Sequence, residues 1–156
     1  SRIFAVDPLT LKRDAARVQG ATDLIDPADG DVVAQIRDRT AGRGTDYSFE
    51  VVGRPDTVTT AYACARRGGI VTIVGMPAAD ATLAFNGLEM FLDAKEVRLS
   101  IMGSSQIRAD FPRYVALAET GRLDVASMIT RRLALDDIND AMRAMEAGEV
   151  IRTVIV

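Results

Sequence analysis

Short apolar runs alternate along the chain with segments whose apolar residues recur every three to four positions. Runs of the first kind are typical of strands buried in a parallel sheet, and stripes of the second kind are typical of helices that cover it. Strands are predicted at residues 3–6, 23–25, 47–52, 70–74, 97–101, 131–135 and 151–155. A further short extended piece is predicted at residues 81–85.

Helices are predicted between these strands, and glycines follow them as helix C-termini favour. The stripe Val58, Ala61, Tyr62 and Ala65 predicts one helix that runs on to Gly68–Gly69. Further helices are predicted around residues 11–18, 32–36 and 88–92, from a cap at Asp110 to Gly121, and from a cap at Asp136 to Gly148, with a short helical turn at 125–128.

The repeated strand–helix–strand spacing predicts an α/β fold, a doubly wound parallel sheet of the Rossmann type. The opening apolar run ends at Asp7, as the second strand of such a fold does, and no first strand or glycine-rich loop precedes it. Because the first strand is central in the order 3-2-1-4-5-6, the strands at residues 3–6 and 47–52 are each expected to lack one neighbour.

Composition excludes several classes of function. The 156 residues are 48% hydrophobic and 26% charged, with a net charge of -3, which favours a globular domain and gives no attraction to nucleic acid. No apolar run is long enough to span a membrane and no secretory leader is recognisable, and the single cysteine fits a cytoplasmic location. The chain has no histidine, so it cannot form a Cys/His zinc site or a Ser-His-Asp triad.

Acidic and basic residues at predicted strand ends are the candidate ligand contacts. Asp7 can accept hydrogen bonds from both hydroxyls of an adenosine ribose while repelling a 2'-phosphate, or it can cap the helix that follows. Arg13 could serve a 2'-phosphate, so NADP stays open. Glu50 is interpreted as a hydrogen-bonded structural residue one turn short of the strand end. Cys64 is expected to be a packed thiol.

Three segments, "FEVVGRPDTV", "GGIVTIVGMP" and "AMEAGEVIRTVIV", resemble the carboxyl-terminal part of zinc-type medium-chain alcohol dehydrogenases. The similarity extends over essentially the whole chain. It implies a partial NAD-binding domain at residues 1–102 and, at 103–156, the end of that domain followed by a return to a catalytic domain. It also implies that the glycine fingerprint and the zinc ligands belong to a part of the enzyme that this chain does not contain.

The resemblance assigns coenzyme contacts to eleven residues. Asp7 and Lys12 are expected at the adenosine ribose, although Lys12 taken alone is a solvated helix residue. Arg54 is expected over the adenine, where guanidinium groups stack well, and Arg152 at the pyrophosphate, although Arg152 taken alone is a surface charge. Backbone groups are expected to hold the adenosine and the nicotinamide carboxamide at Val52, Gly53, Val74, Gly75, Met76, Ile101 and Met102.

The implied activity is NAD-dependent hydride transfer between a primary or secondary alcohol and its aldehyde or ketone, with zinc bound elsewhere in the parent enzyme. This chain alone is expected to be inactive and to self-associate, and neither nucleic acid nor membrane is expected as a partner. Two alternatives remain. One is a zinc-free, NADPH-dependent quinone-type reductase of the same fold, and the other is a truncated, non-catalytic dimerisation module.

Overall fold

Seven strands, all paired in parallel, and six α-helices make up the chain, which a computed structural model describes over residues 1–156. They group into two units. The first unit comprises residues Ser1–Asp29 and Gln106–Val156, and the second comprises Gly30–Ser105. No helix combines the length and the apolar character that crossing a bilayer requires.

In the first unit, β1 (Phe4–Val6) pairs with β2 (Asp23–Ile25), and α1 (Thr10–Val18) connects them. Gly20, with a φ of 105°, ends the helix in a conformation that favours glycine. A second parallel pair is formed by the last two strands. The remaining elements of this unit are α5 (Ile107–Glu119), β6 (Arg131–Leu133), α6 (Ile138–Glu146) and β7 (Thr153–Ile155).

In the second unit, a three-stranded parallel sheet has the order β3-β4-β5. Each connection passes through a helix, as parallel pairing requires. The elements are α2 (Val32–Arg39), β3 (Thr45–Glu50), α3 (Pro55–Cys64), β4 (Ala65–Ile73), α4 (Gly87–Asp93) and β5 (Glu96–Leu99).

The core of the second unit forms where α3 packs on β4. Val71 is fully buried at the centre of the sheet, and Tyr62 and Ala65 pack with it. The ring of Phe85 lies 5.0 Å from the ring of Tyr62, centroid to centroid. This aromatic contact anchors residues 81–85, which pair with no other strand.

The boundary between α3 and β4 differs from the prediction. The helix ends at Cys64 and the strand begins at Ala65, so Gly68 and Gly69 lie within the strand, where the pairing with β3 is irregular. A Cβ on Gly69 would lie only 2.9 Å from the carbonyl oxygen of Arg66. The two glycines therefore permit close backbone approach inside a strand and do not end the helix.

Several other helix and strand boundaries differ from the predicted ones. Helix α5 begins at Ile107, and the Asp110 carboxylate, already inside its first turn, accepts a hydrogen bond from the Gln106 amide at 2.8 Å. Asp136 lies in a 3-10 turn that precedes α6, and at residues 125–128 the chain forms a single turn, in which the Ile129 amide donates to the Ala126 carbonyl. Strand β3 ends at Glu50, β5 ends at Leu99, and β7 begins at Thr153.

The strand pairing confirms the predicted fold class. Strand β1 pairs with β2 alone, and β3 pairs with β4 alone, so each has one unpaired edge. Parallel strands joined through helices are the pattern expected of a doubly wound fold.

Candidate functional site

The three strands of the second unit end in register. Glu50 of β3 pairs with Ile73 of β4, which pairs with Leu99 of β5. Ligands of open parallel sheets bind outside the carboxyl ends of the strands. The structure therefore brings eight of the predicted residues to one such edge, directly after the strands: Val52, Gly53, Arg54, Val74, Gly75, Met76, Ile101 and Met102.

The turns after β3 and β4 meet backbone to backbone. A Cβ on Gly53 would collide with the carbonyl of Met76, and a Cβ on Gly75 would collide with the amide nitrogen of Gly53 and the carbonyl carbon of Val52. Gly53 also has a φ of 86°, which most residues adopt only at a cost. Both glycines are thus required for the close approach of the two turns.

The side chain and backbone of Glu50 bind the turns that follow β3 and β4. Its Oε1 accepts hydrogen bonds from the amides of Val52 and Gly53 and from the Thr57 hydroxyl, each at 2.8 Å, and the residue is only 3% exposed. Its backbone carbonyl accepts from the amides of Val74 and Gly75. The hydrogen-bonded interpretation is confirmed. Its predicted position was wrong, because Glu50 is the last residue of its strand and lies at the edge itself.

Two backbone groups in the turn after β4 have no hydrogen-bond partner within the chain. No hydrogen bond within the chain engages the carbonyl of Val74 or the amide of Met76, although the neighbouring amides are bonded to Glu50. A carbonyl and an amide two residues apart match the donor and acceptor of a primary carboxamide. The donor set at this position therefore fits the nicotinamide end of NAD.

Apolar side chains at the same edge face solvent. Met76 is 91% exposed, and Ile101 and Met102 are 84% and 71% exposed. Met102 also has a φ of 49°, a left-handed conformation that is costly for a residue with a side chain. Exposed apolar groups grouped in this way are typical of a surface that a ligand or another part of a protein covers.

Arg54 stands at the start of α3 with its guanidinium held by Asp56. The Nε and Nη2 atoms donate to the two carboxylate oxygens at 3.0 and 2.8 Å, and this pairing lowers the pKa of Asp56. The Arg54 side chain is nevertheless 68% exposed. The flat face of the guanidinium thus stays open to stacking by an aromatic ring.

In the first unit, Asp7 follows β1 directly. Its Oδ1 accepts a hydrogen bond from the Leu9 amide at 2.8 Å, while Oδ2 makes no hydrogen bond within the chain. The residue at the N-cap of α1 is Leu9, so Asp7 closes the turn before the helix instead of capping it. A carboxyl group with one free oxygen at a strand end fits a ribose hydroxyl.

The other two predicted residues also belong to the first unit. Lys12 is exposed in the first turn of α1. Arg152 lies just before β7, where its carbonyl accepts from the Thr130 amide at 3.0 Å, and its side chain is exposed without a bonded partner in the chain. Both side chains are free to meet an anionic or polar ligand.

The side chains of this chain do not support metal binding. No three Cys, Asp or Glu side chains lie close enough together to hold a metal ion. Cys64 is buried, and burial raises the pKa of its thiol to about 11. A zinc ion therefore does not fit the residues present in this chain.

A basic cluster lies at the opposite, amino-terminal edge of the sheet, around a cavity of about 350 Å³. Its cations are engaged by the fold. Arg37 donates to the Ala63 carbonyl, Lys95 to that of Tyr62 and Arg67 to that of Leu92, in the last turns of α3 and α4. Cations at helix C-termini stabilise the helix dipole, which is a sufficient structural role for this cluster.

The parallel sheets and their connecting helices define an α/β fold of the Rossmann type. A family model described as zinc-binding dehydrogenase matches residues 1–120, and the chain belongs to that family.

Geraniol dehydrogenase of Castellaniella defragrans is 33% identical over 99% of this chain and 41% of its own length. Alcohol dehydrogenase 6 of Peromyscus maniculatus is also 33% identical, over 100% of this chain and 42% of its own. Among solved structures, benzyl alcohol dehydrogenase from Acinetobacter calcoaceticus is similar with a TM-score of 0.93 and 26% identity, over 99% of this chain and 42% of its own. The chain spans about two fifths of the length of the curated relatives it matches.

Proposed function

We propose that this chain supplies the coenzyme contacts of an NAD-dependent, zinc-type alcohol dehydrogenase. The observation that carries the proposal is the in-register edge at Glu50, Ile73 and Leu99, where the Val74 carbonyl and the Met76 amide are left without partners. Membership of the zinc-binding dehydrogenase family supports the same proposal.

The proposed contacts follow from the chemistry of each group. Asp7 accepts from the ribose hydroxyls through its free oxygen, and Lys12, in the first turn of α1, also reaches the ribose. The open face of Arg54 stacks on the adenine, beside the backbone of Val52 and Gly53. The guanidinium of Arg152 binds the pyrophosphate.

At the nicotinamide end of the coenzyme, the Val74 carbonyl and the Met76 amide bind the carboxamide. Gly75 allows the close approach of the two turns. Ile101 and Met102 contact the nicotinamide from the side opposite Val74 and Met76. When bound, NAD supplies the hydride acceptor of the reaction. Residues 1–102 are then part of the NAD-binding domain, and residues 103–156 complete it and return to the catalytic domain.

The proposed substrates are primary or secondary alcohols and the corresponding aldehydes or ketones, in the cytoplasm. Two similar proteins carry the names geraniol dehydrogenase and benzyl alcohol dehydrogenase, which supports an alcohol as the substrate class. Zinc and a proton relay are assigned to the remainder of the parent enzyme, because this chain has no residues to hold them. Turnover by the 156-residue chain alone is expected to be absent.

Replacing Asp7 with glycine in the full dehydrogenase tests the proposal. Loss of a charged acceptor is expected to raise the KM for NAD about tenfold or more, and the loss of its negative charge to lower the KM for NADP. Steady-state kinetics with both coenzymes measure the change, and Asp14→Asn, which alters an exposed carboxylate on α1, is the matched control. Unchanged constants for both coenzymes refute the ribose role, and a wild-type preference for NADPH favours the quinone-type alternative.

We further propose that the protein forms a homo-oligomer through the outer edge of β5. That edge has no strand beside it, and Leu99 at its end is 71% exposed. An unpaired edge strand is a template for pairing with another chain. Light scattering is expected to give the molar mass of at least a dimer. Substituting Val97 with proline removes a backbone donor from this edge and is expected to lower the measured mass toward that of a monomer. A wild-type protein that is monomeric at all concentrations contradicts this.

A further inference from the structure

Arg13 is fixed at the carboxyl edge of the β1–β2 pair. One guanidinium nitrogen, Nη1, donates to the carbonyl of Asp7 at 2.6 Å. The other, Nη2, lies 3.0 Å from the Thr10 hydroxyl and 2.8 Å from Oδ2 of Asp26. The side chain is only 13% exposed. Its position beside the Asp7 backbone places this cation next to the carboxylate proposed to hold the ribose.

Asp26 is fixed equally well. Val6 and Ile25 are paired across β1 and β2, so Asp7 and Asp26 directly follow two strand ends that are in register. The second oxygen of Asp26, Oδ1, accepts from the Ala28 amide at 2.9 Å, and its side chain is 21% exposed. Both oxygens of this carboxylate are therefore engaged, and Arg13 has little freedom to turn away from it.

The ion pair changes what Arg13 can do. An arginine at this point of the helix could bind the 2'-phosphate of NADP, as the sequence left open. Here the Asp7 carbonyl, the Thr10 hydroxyl and the Asp26 carboxylate already bind the two terminal nitrogens of the guanidinium. A 2'-phosphate could recruit Arg13 only by separating the pair and leaving Asp26 without its cation, which is costly for a partly buried charge.

We infer that Asp26 is a specificity-determining residue: it holds Arg13 away from a 2'-phosphate and thereby reinforces the preference of Asp7 for NAD. The inference rests on the proposed function, because it assumes that the ribose binds at Asp7. It assigns Asp26 a positioning role and requires no direct contact between Asp26 and the coenzyme.

Binding of 5'-AMP and of 2',5'-ADP to the 156-residue chain tests the inference, by ligand-observed NMR because the affinities are expected to be weak. Asp26→Asn is expected to tighten 2',5'-ADP binding about tenfold, since one charge-assisted hydrogen bond becomes available, with 5'-AMP changed less than twofold. Asp29→Asn, at an exposed neighbouring carboxylate, makes the same charge change and is expected to alter neither ligand. Adding Arg13→Gln to Asp26→Asn is expected to abolish the gain.

Arg13→Gln alone provides a second test that does not depend on the folding of the Asp26 variant. It is expected to leave the weak 2',5'-ADP binding of the wild type unchanged, and a loss greater than about fivefold overturns the inference, because it would show Arg13 already on the phosphate. Equal effects of Asp26→Asn and Asp29→Asn also overturn it. If 5'-AMP binds and Asp7→Asn removes it while 2',5'-ADP gains nothing from Asp26→Asn, the inference fails and the proposed function stands. If no adenylate binds any variant, both fail.

Discussion

Substituting Glu50 with alanine is expected to lower the free energy of unfolding by about 3 kcal/mol, because three hydrogen-bond donors lose their acceptor in a buried place. The Val52 and Gly53 amides and the Thr57 hydroxyl all point to one oxygen of this side chain. Urea denaturation followed by circular dichroism measures the change. Glu50→Gln keeps an acceptor at the same place and is expected to retain more of the stability than alanine.

Glu89→Ala, at an exposed glutamate of α4 in the same unit, is the control for removing a carboxylate and is expected to change stability little. A Glu50→Ala variant that is as stable as the Glu89→Ala variant would show that Glu50 does not stabilise the turn after β3. It would mean that the turn after β3 holds its shape without the carboxylate.

Adding a single methyl group at Gly75 is expected to cost about 2–3 kcal/mol, as overpacking in a rigid region does. The Cβ of Gly75→Ala would run into the backbone of Val52 and Gly53, which cannot move aside as a flexible side chain can. In the full dehydrogenase, the displaced turn is also expected to weaken NAD binding, because the Val74 carbonyl and the Met76 amide flank the substituted residue.

Gly87→Ala is the matched control. A Cβ at Gly87 meets nothing within 4 Å, and the residue begins α4, where alanine is favoured over glycine. This variant is expected to be at least as stable as the wild type. If Gly75→Ala unfolds at the same urea concentration as Gly87→Ala, the two turns are not packed as described.

Hydrophobic periodicity predicted the parallel strands and their connecting helices because burial on both faces leaves a local trace in the sequence. The run at residues 70–74 is such a trace, and it falls in or next to β4. The end of α3 could not be predicted in the same way. Ala65 fits the helical stripe as well as the strand, but its backbone is extended and pairs with Thr45 of β3.

Some features of the candidate site could be predicted from the sequence, and others could not. The positions of Gly53 and Gly75 after apolar runs could be recognised in the sequence, because turns at strand ends have a characteristic composition. The sequence indicated that Glu50 is hydrogen-bonded, but its bonding partners could not be predicted, and neither could the pairing of Arg13 with Asp26. Each depends on side-chain conformations that form only when separate segments are brought together, as when β1 and β2 align Asp7 with Asp26.

The measurement that tests the central proposal most directly is a crystal structure of the full dehydrogenase with NAD. The ribose hydroxyls are expected within hydrogen-bond distance of the Asp7 carboxylate, and the carboxamide is expected on the Val74 carbonyl and the Met76 amide. Coenzyme bound elsewhere, or bound with these three groups still without partners, would contradict the central proposal.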